Sequence, residues 1–386
     1  MTTIPFKLTS VAALILPIAL LAGCGGGGGG TTSGSTGTTG PGTGGTATPT
    51  VDTTPPTLAA SPAISPANGA TGAAYAATVS FTASEALSTA SIKMSCDGTD
   101  VLGTTTVNGA VVTYTPTTPG YAANAKCTAT VNAAATKDLA GNAFASNVTI
   151  TNFTVKALNC TGTTSNSPPS FNGTALIAAC GNVFVDPTVA KNQYPVIVDA
   201  IASAVQSDRA VYGSLQSTQP DVIVCSTAAC GTYFAGASLR NVTLPPNTYA
   251  GQYTVPRTTV VLTSATYNRN TYVLAHEFSH VEVNARLGGR HVPAWFDEGL
   301  ATFVGGEPVC TNVTGKGIND LTTLDQESDW VTYTNSSANF DRTYCQARAE
   351  VAAWVAKKGN VAVTQLLTAV GQGQSFASQY GAMQTQ

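Results

Sequence analysis

The sequence predicts a multidomain protein, with an N-terminal β-sandwich followed by an α+β, largely helical domain. Three observations predict it. Residues 54–156 carry short alternating or β-rich runs between turn residues, with no helix-period pattern of useful length. From Tyr194 onward long helical segments appear, mixed at first with two apolar β-rich runs. A Gly/Thr/Ser-rich stretch over 24–53 separates both from the N-terminus. A chain of 386 residues is too long for one ordinary domain and suits two. Hydrophobic residues make up 43% of it, enough for real cores. Charged residues make up 10%, against about 25% in an ordinary globular chain. A polar surface with few charges fits an exported protein. The net charge of −3 offers no basic field, so nucleic-acid binding is excluded as a function class, and no nucleotide cofactor is expected.

The first element is an export signal over 1–23. Lys7 supplies the positive flank, and the apolar run from Val11 to Leu21 is too short to span a bilayer as a helix. It ends in Leu21-Ala22-Gly23-Cys24, which resembles the lipobox of bacterial lipoproteins. That resemblance implies cleavage before Cys24, a lipid on its thiol and a bilayer as a partner. Because Gly25 rather than Asp follows, the enterobacterial sorting rule implies the outer membrane, facing periplasm or cell surface. Residues 24–53 then form a flexible tether, with an end-to-end distance of about 25–30 Å.

The second element is the sandwich over 54–156. Runs at Ala77–Thr82, Ser91–Ser95, Ala110–Thr115 and Lys126–Val131 read as strands, with Val79 and Phe81 on one face and Val112 and Tyr114 on another. Pro55-Pro56, Pro66-Ala67-Asn68-Gly69, Tyr114-Thr115-Pro116, Asp138-Leu139-Ala140-Gly141-Asn142 and the closing strand through Phe153 resemble bacterial Ig-like domains. Such domains space or present other modules. A glycan- or partner-binding role is the rival, without a cluster of exposed aromatics to argue for it.

Of nine cysteines, eight remain if Cys24 carries lipid. An even number in an exported chain points to disulfides. Cys96 and Cys127 lie alone in the first domain and are expected to pair, with Cys160–Cys180, Cys225–Cys230 and Cys310–Cys345 as the remaining expected pairs. No Cys-x-x-Cys spacing favours a zinc site built from them.

The last element spans 160–386. Its expected elements are a helix over 194–212, strands over 221–225 and 258–262, and helices over 271–287, 294–303, 341–357 and 361–370. The first of those later helices carries His276-Glu277-Phe278-Ser279-His280. Positions i and i+4 stand one above the other on a helix, so both imidazoles can reach one metal ion, with Glu277 beside them to act on a water. The chain has three histidines and two of them fall here, which weakens the reading of a chance surface pair. After Gly288 and Gly289 comes Trp295-Phe296-Asp297-Glu298-Gly299-Leu300-Ala301, far enough on for a second helix to return alongside the first. A carboxylate there completes a His2Glu set with a fourth position left for water.

These two segments resemble the gluzincin metallopeptidases, whose third ligand is the Glu of a Trp-x-x-Glu-Gly-x-Ala segment. The resemblance implies a zincin-like fold, one Zn2+ held by His276, His280 and Glu298, and a protein or peptide substrate. Asp297 is the neighbouring carboxylate that competes for the ligand role. Glu277 is the expected general base. Tyr344, in Tyr344-Cys345-Gln346-Ala347, occupies the place of a tyrosine segment in related aminopeptidases, which implies an oxyanion donor; a core tyrosine is the other reading. His291 is a candidate substrate contact or a helix-flanking structural residue. One position departs from the thermolysin-like pattern. Thr302 stands where an Asp would orient a zinc histidine, so another group, such as a backbone carbonyl, must do so. The expected function is a zinc endopeptidase on a membrane-anchored lipoprotein. A non-catalytic envelope-binding lipoprotein and a zinc amidase on cell-wall peptides are the competing classes.

Overall fold

The computed structural model describes residues 51–160, 167–237, 241–248, 250–263 and 271–385. The export signal, Cys24 and the tether up to residue 50 lie outside the described residues. Among those described, no helix is long and apolar enough to cross a membrane.

The first part of the described chain is a β-sandwich. Strands β1 (Ala70–Ala73), β2 (Val79–Thr82), β3 (Leu87–Thr89), β4 (Ile92–Cys96), β5 (Thr99–Val101), β6 (Gly103–Asn108), β7 (Val111–Pro116), β8 (Lys126–Val131), β9 (Lys137–Asp138) and β10 (Val148–Val155) are its elements. One sheet runs β1-β10-β8-β4-β5 and the facing one β2-β7-β6. The alternation seen in the sequence is the alternation of burial: Val79, Phe81, Val112 and Tyr114 point inward and are at most 2% exposed. They meet Met94, Cys127, Ala129, Val131 and Phe153 from the other sheet. Cys96 and Cys127 face each other across β4 and β8 and are joined as a disulfide.

The rest of the chain places a sheet against helices. A short hairpin, β11 (Ser170–Phe171) and β12 (Thr174–Ala175), leads into β13 (Ile177–Cys180) and β14 (Val183–Val185). After helix α1 (Tyr194–Tyr212) come β15 (Asp221–Cys225), α2 (Ala228–Ala235), β16 (Val242–Leu244) and β17 (Thr259–Thr263). The sheet order is β13-β14-β15-β17-β16, with β14, β15 and β17 parallel and β16 antiparallel on the edge. The parallel strands are buried along their whole length, as a sheet covered on both faces requires. Val222, Val224, Val260 and Leu262 face α1, whereas Ile223 and Val261 face Cys230 and Phe234 of α2.

Helices α3 (Thr271–Leu287), α4 (Ala294–Gly305), α5 (Glu327–Thr334), α6 (Ser337–Lys358), α7 (Asn360–Gly371) and α8 (Phe376–Thr385) complete the fold. Helix α3 joins two cores. Leu274, Ala275, Phe278 and Val281 pack with the sheet, and Val283 and Leu287 pack with α4, α6 and α7. Placing α3 between cores buries much of its surface, so its polar side chains are held by fixed partners. Disulfides Cys160–Cys180, Cys225–Cys230 and Cys310–Cys345 tie the flanking segments.

Two differences from the expected elements have simple causes. The helix expected from 341 begins at Ser337, and the strand expected over 258–262 is Thr259–Thr263, shifts of the size that fraying ends produce. Strands β13, β14 and β16 and the eight-residue helices α2 and α5 carry too few residues for a period to register.

Candidate metal centre

On α3 the i, i+4 spacing places the imidazoles of His276 and His280 with their Nε2 atoms 3.3 Å apart. Helix α4 brings the third group. Pro293 precedes it, and its first turn is held by Ala294 N donating to Asp325 O and by the Trp295 indole donating to Asp325 Oδ1. Trp295, Phe296 and Leu300 bury the core side of α4, which turns Glu298 toward α3. Two glycines let the backbones approach. A Cβ on Gly305 would stand 2.6 Å from the Tyr272 carbonyl oxygen, and one on Gly299 would stand 2.6 Å from that of Ala347 in α6.

Glu298 Oε2 lies 3.1 Å from His276 Nε2 and 3.7 Å from His280 Nε2. It is enclosed and makes no hydrogen bond, so a buried anionic oxygen stands beside two nitrogens with only their electrostatics to satisfy it. Zinc at about 2.0–2.1 Å from tetrahedral ligands sets those ligands roughly 3.4 Å apart. The three spacings bracket that value, and the donors are two imidazoles and a carboxylate, the set zinc takes at catalytic sites. The residues therefore fit one Zn2+. Burial opposes charge on Glu298, yet the two imidazoles hold its carboxyl well below the usual carboxylate range. Burial likewise opposes a proton on His280, but Asp297 and Glu298 outweigh it and raise that imidazole well above its ordinary value.

Asp297 approaches a histidine from outside the cluster, its Oδ1 lying 3.1 Å from His280 Nδ1. A carboxylate accepting from Nδ1–H leaves Nε2 as the lone-pair nitrogen, which is the tautomer a metal needs. The orienting carboxylate therefore acts on the other histidine from the one that Thr302 flanks. Thr302 Oγ1 donates to Glu298 O at 2.7 Å and stands a long 3.5 Å from His276 Nδ1.

Glu277 is 7% exposed. Its Oε2 accepts from Thr243 Oγ1 at 2.7 Å. Thr243 carries no signal in the sequence, because a three-residue strand has no period to detect. The Tyr344 ring centroid lies 6.2 Å from that of His276, and the ring packs on Trp330 and Phe340. Burial, and then the charge of Glu298, raise its phenol well above the ordinary value, so it stays a proton donor. His291 is exposed in the turn between α3 and α4 and is not part of the cluster.

Behind the centre, Tyr212 and Ser279 hydroxyls bond at 2.6 Å. Glu282, fully buried, accepts from Gln216 N, Ser217 N and Arg286 Nε. Asp208 on α1 is pushed up to about 8 by burial and then by the charge of Glu282.

Residues 52–155 match the bacterial Ig-like domain family. No match to this chain was found among curated proteins. The His276-Glu277-x-x-His280 motif with Glu298 is the zinc-binding arrangement of gluzincin metallopeptidases.

Proposed function

We propose that this chain is a zinc endopeptidase carried on the outer membrane by a lipid on Cys24, facing periplasm or cell surface. The observation that carries the catalytic reading is the enclosed Glu298 Oε2, which makes no hydrogen bond and stands between two imidazole nitrogens. His276, His280 and Glu298 would hold the metal, with Asp297 fixing the His280 tautomer. Zinc bound there would polarise the scissile carbonyl and acidify a water. Glu277 takes a proton from the attacking water as the new C–O bond forms. It returns that proton to the amine nitrogen as the C–N bond breaks. The Tyr344 phenol, kept protonated, donates to the oxygen on which negative charge develops. The sandwich and the tether hold the catalytic part away from the bilayer.

Two measurements test this. Zinc analysis of the folded full chain should return about one metal per chain. Stripping with a chelator should abolish cleavage of unfolded casein, and adding zinc should restore it. A folded chain that takes up no zinc when supplied with it would overturn the enzymatic reading. For the anchor, the Cys24→Ser protein is expected to leave the membrane fraction of its native cell; retention there would count against lipid attachment.

A further inference from the structure

Strand β16 is the outer edge of the sheet and holds three residues, Val242, Thr243 and Leu244, opposite Val261, Val260 and Thr259 of β17. Because side chains alternate along a strand, Leu244 enters the core beneath α2, and Thr243 faces the side on which α3 lies. Its partner Val260 is packed against that helix-facing core, where an apolar residue is the ordinary choice. Thr243 instead places Oγ1 2.7 Å from Glu277 Oε2 and 2.9 Å from the Glu277 backbone oxygen. A threonine hydroxyl has one proton to give, and the carboxylate is the stronger acceptor. Among the described residues no other group hydrogen-bonds the Glu277 side chain.

We propose that Thr243 is the positioning residue for Glu277, an inference that rests on the peptidase reading above. With Oε2 occupied by the hydroxyl, Oε1 is the oxygen that receives and returns the proton. The contact also stops the carboxylate from swinging toward the imidazoles, where it would compete with Glu298 for the metal. A threonine suits this position because its hydroxyl reaches the carboxylate and its β-branch limits the rotamers available. The edge strand thus sets the base, although it carries no group that touches the reacting atoms.

The test uses the zinc-loaded full chain and its Thr243→Val and Thr243→Ser forms. Three readouts are taken: zinc per chain, casein kcat and KM, and the affinity of acetohydroxamic acid, a zinc chelator that also needs a neighbouring proton acceptor. Thr243→Val is expected to keep its zinc and its KM, to lose roughly tenfold in kcat, and to bind the hydroxamate roughly tenfold more weakly. Thr243→Ser should restore both. In a Glu277→Gln background, Thr243→Val should have no further effect on hydroxamate affinity. Unchanged kcat and hydroxamate affinity in Thr243→Val would overturn the assignment, as would a serine form that fails to rescue. If casein is not cut, the hydroxamate comparison decides, and if the valine form does not fold, serine against alanine carries the same comparison. A wild-type chain that takes up no zinc overturns the peptidase reading itself, and with it the role given to Thr243.

Discussion

Glu298→Ala is expected to weaken zinc binding by about 10²–10³-fold, taking a site of zinc-finger-like total affinity and one ligand's share of it. The expectation comes from placement. Glu298 Oε2 is the one carboxylate oxygen enclosed between His276 and His280, and Asp297 beside it is already engaged with the far side of the His280 ring. Asp297 cannot replace it without releasing that nitrogen. The fold should survive, because α4 is held by Trp295, Phe296 and Leu300. Competition against a chromophoric chelator measures the change, with circular dichroism as the check on folding. An alanine form that binds zinc as tightly as the parent would remove Glu298 from the ligand set.

Glu277→Gln is expected to leave zinc binding intact and to cut casein turnover by about 10²–10⁴-fold, the range that a lost general base accounts for. Glutamine has the same shape and its carbonyl oxygen can still accept from Thr243, so α3 and the edge strand have no reason to move. What it cannot do is take a proton from water at neutral pH. Zinc content and kcat measured on one preparation separate the two effects. Turnover within a few-fold of the parent would mean that a different group serves as the base.

Much of this centre is legible in the sequence, and the reason differs by residue. His276, Glu277 and His280 are legible because local helical geometry alone puts them together. Glu298 is legible through its neighbours: Trp295 and Ala301 are buried on α4, and Gly299 lets that helix approach α6 closely. Asp297 stood out as a rival ligand, and only the direction in which α4 turns it shows that it serves His280 from outside. Thr243 is silent in the sequence because its role depends on a pairing with β17 that no local pattern encodes. The sandwich is legible in the inward alternation of Val79, Phe81, Val112 and Tyr114. Strand β14 is not, since a fully buried short strand loses the alternation that marks a strand with one face in water.

The glycines of α4 carry one more consequence. Gly299 and Gly305 each meet a backbone carbonyl of a neighbouring helix, a contact between hard surfaces with no flexible side chain in between. Gly299, in the interior of α4, costs that helix about 0.5–1 kcal/mol relative to alanine. In return the spacing of α3, α4 and α6 is fixed the way a machined stop fixes a bearing. Core side chains can be exchanged or loosened by a methyl group without changing where that stop lies. The alignment of the three ligands and the robustness of the fold are therefore separately adjustable properties of this chain.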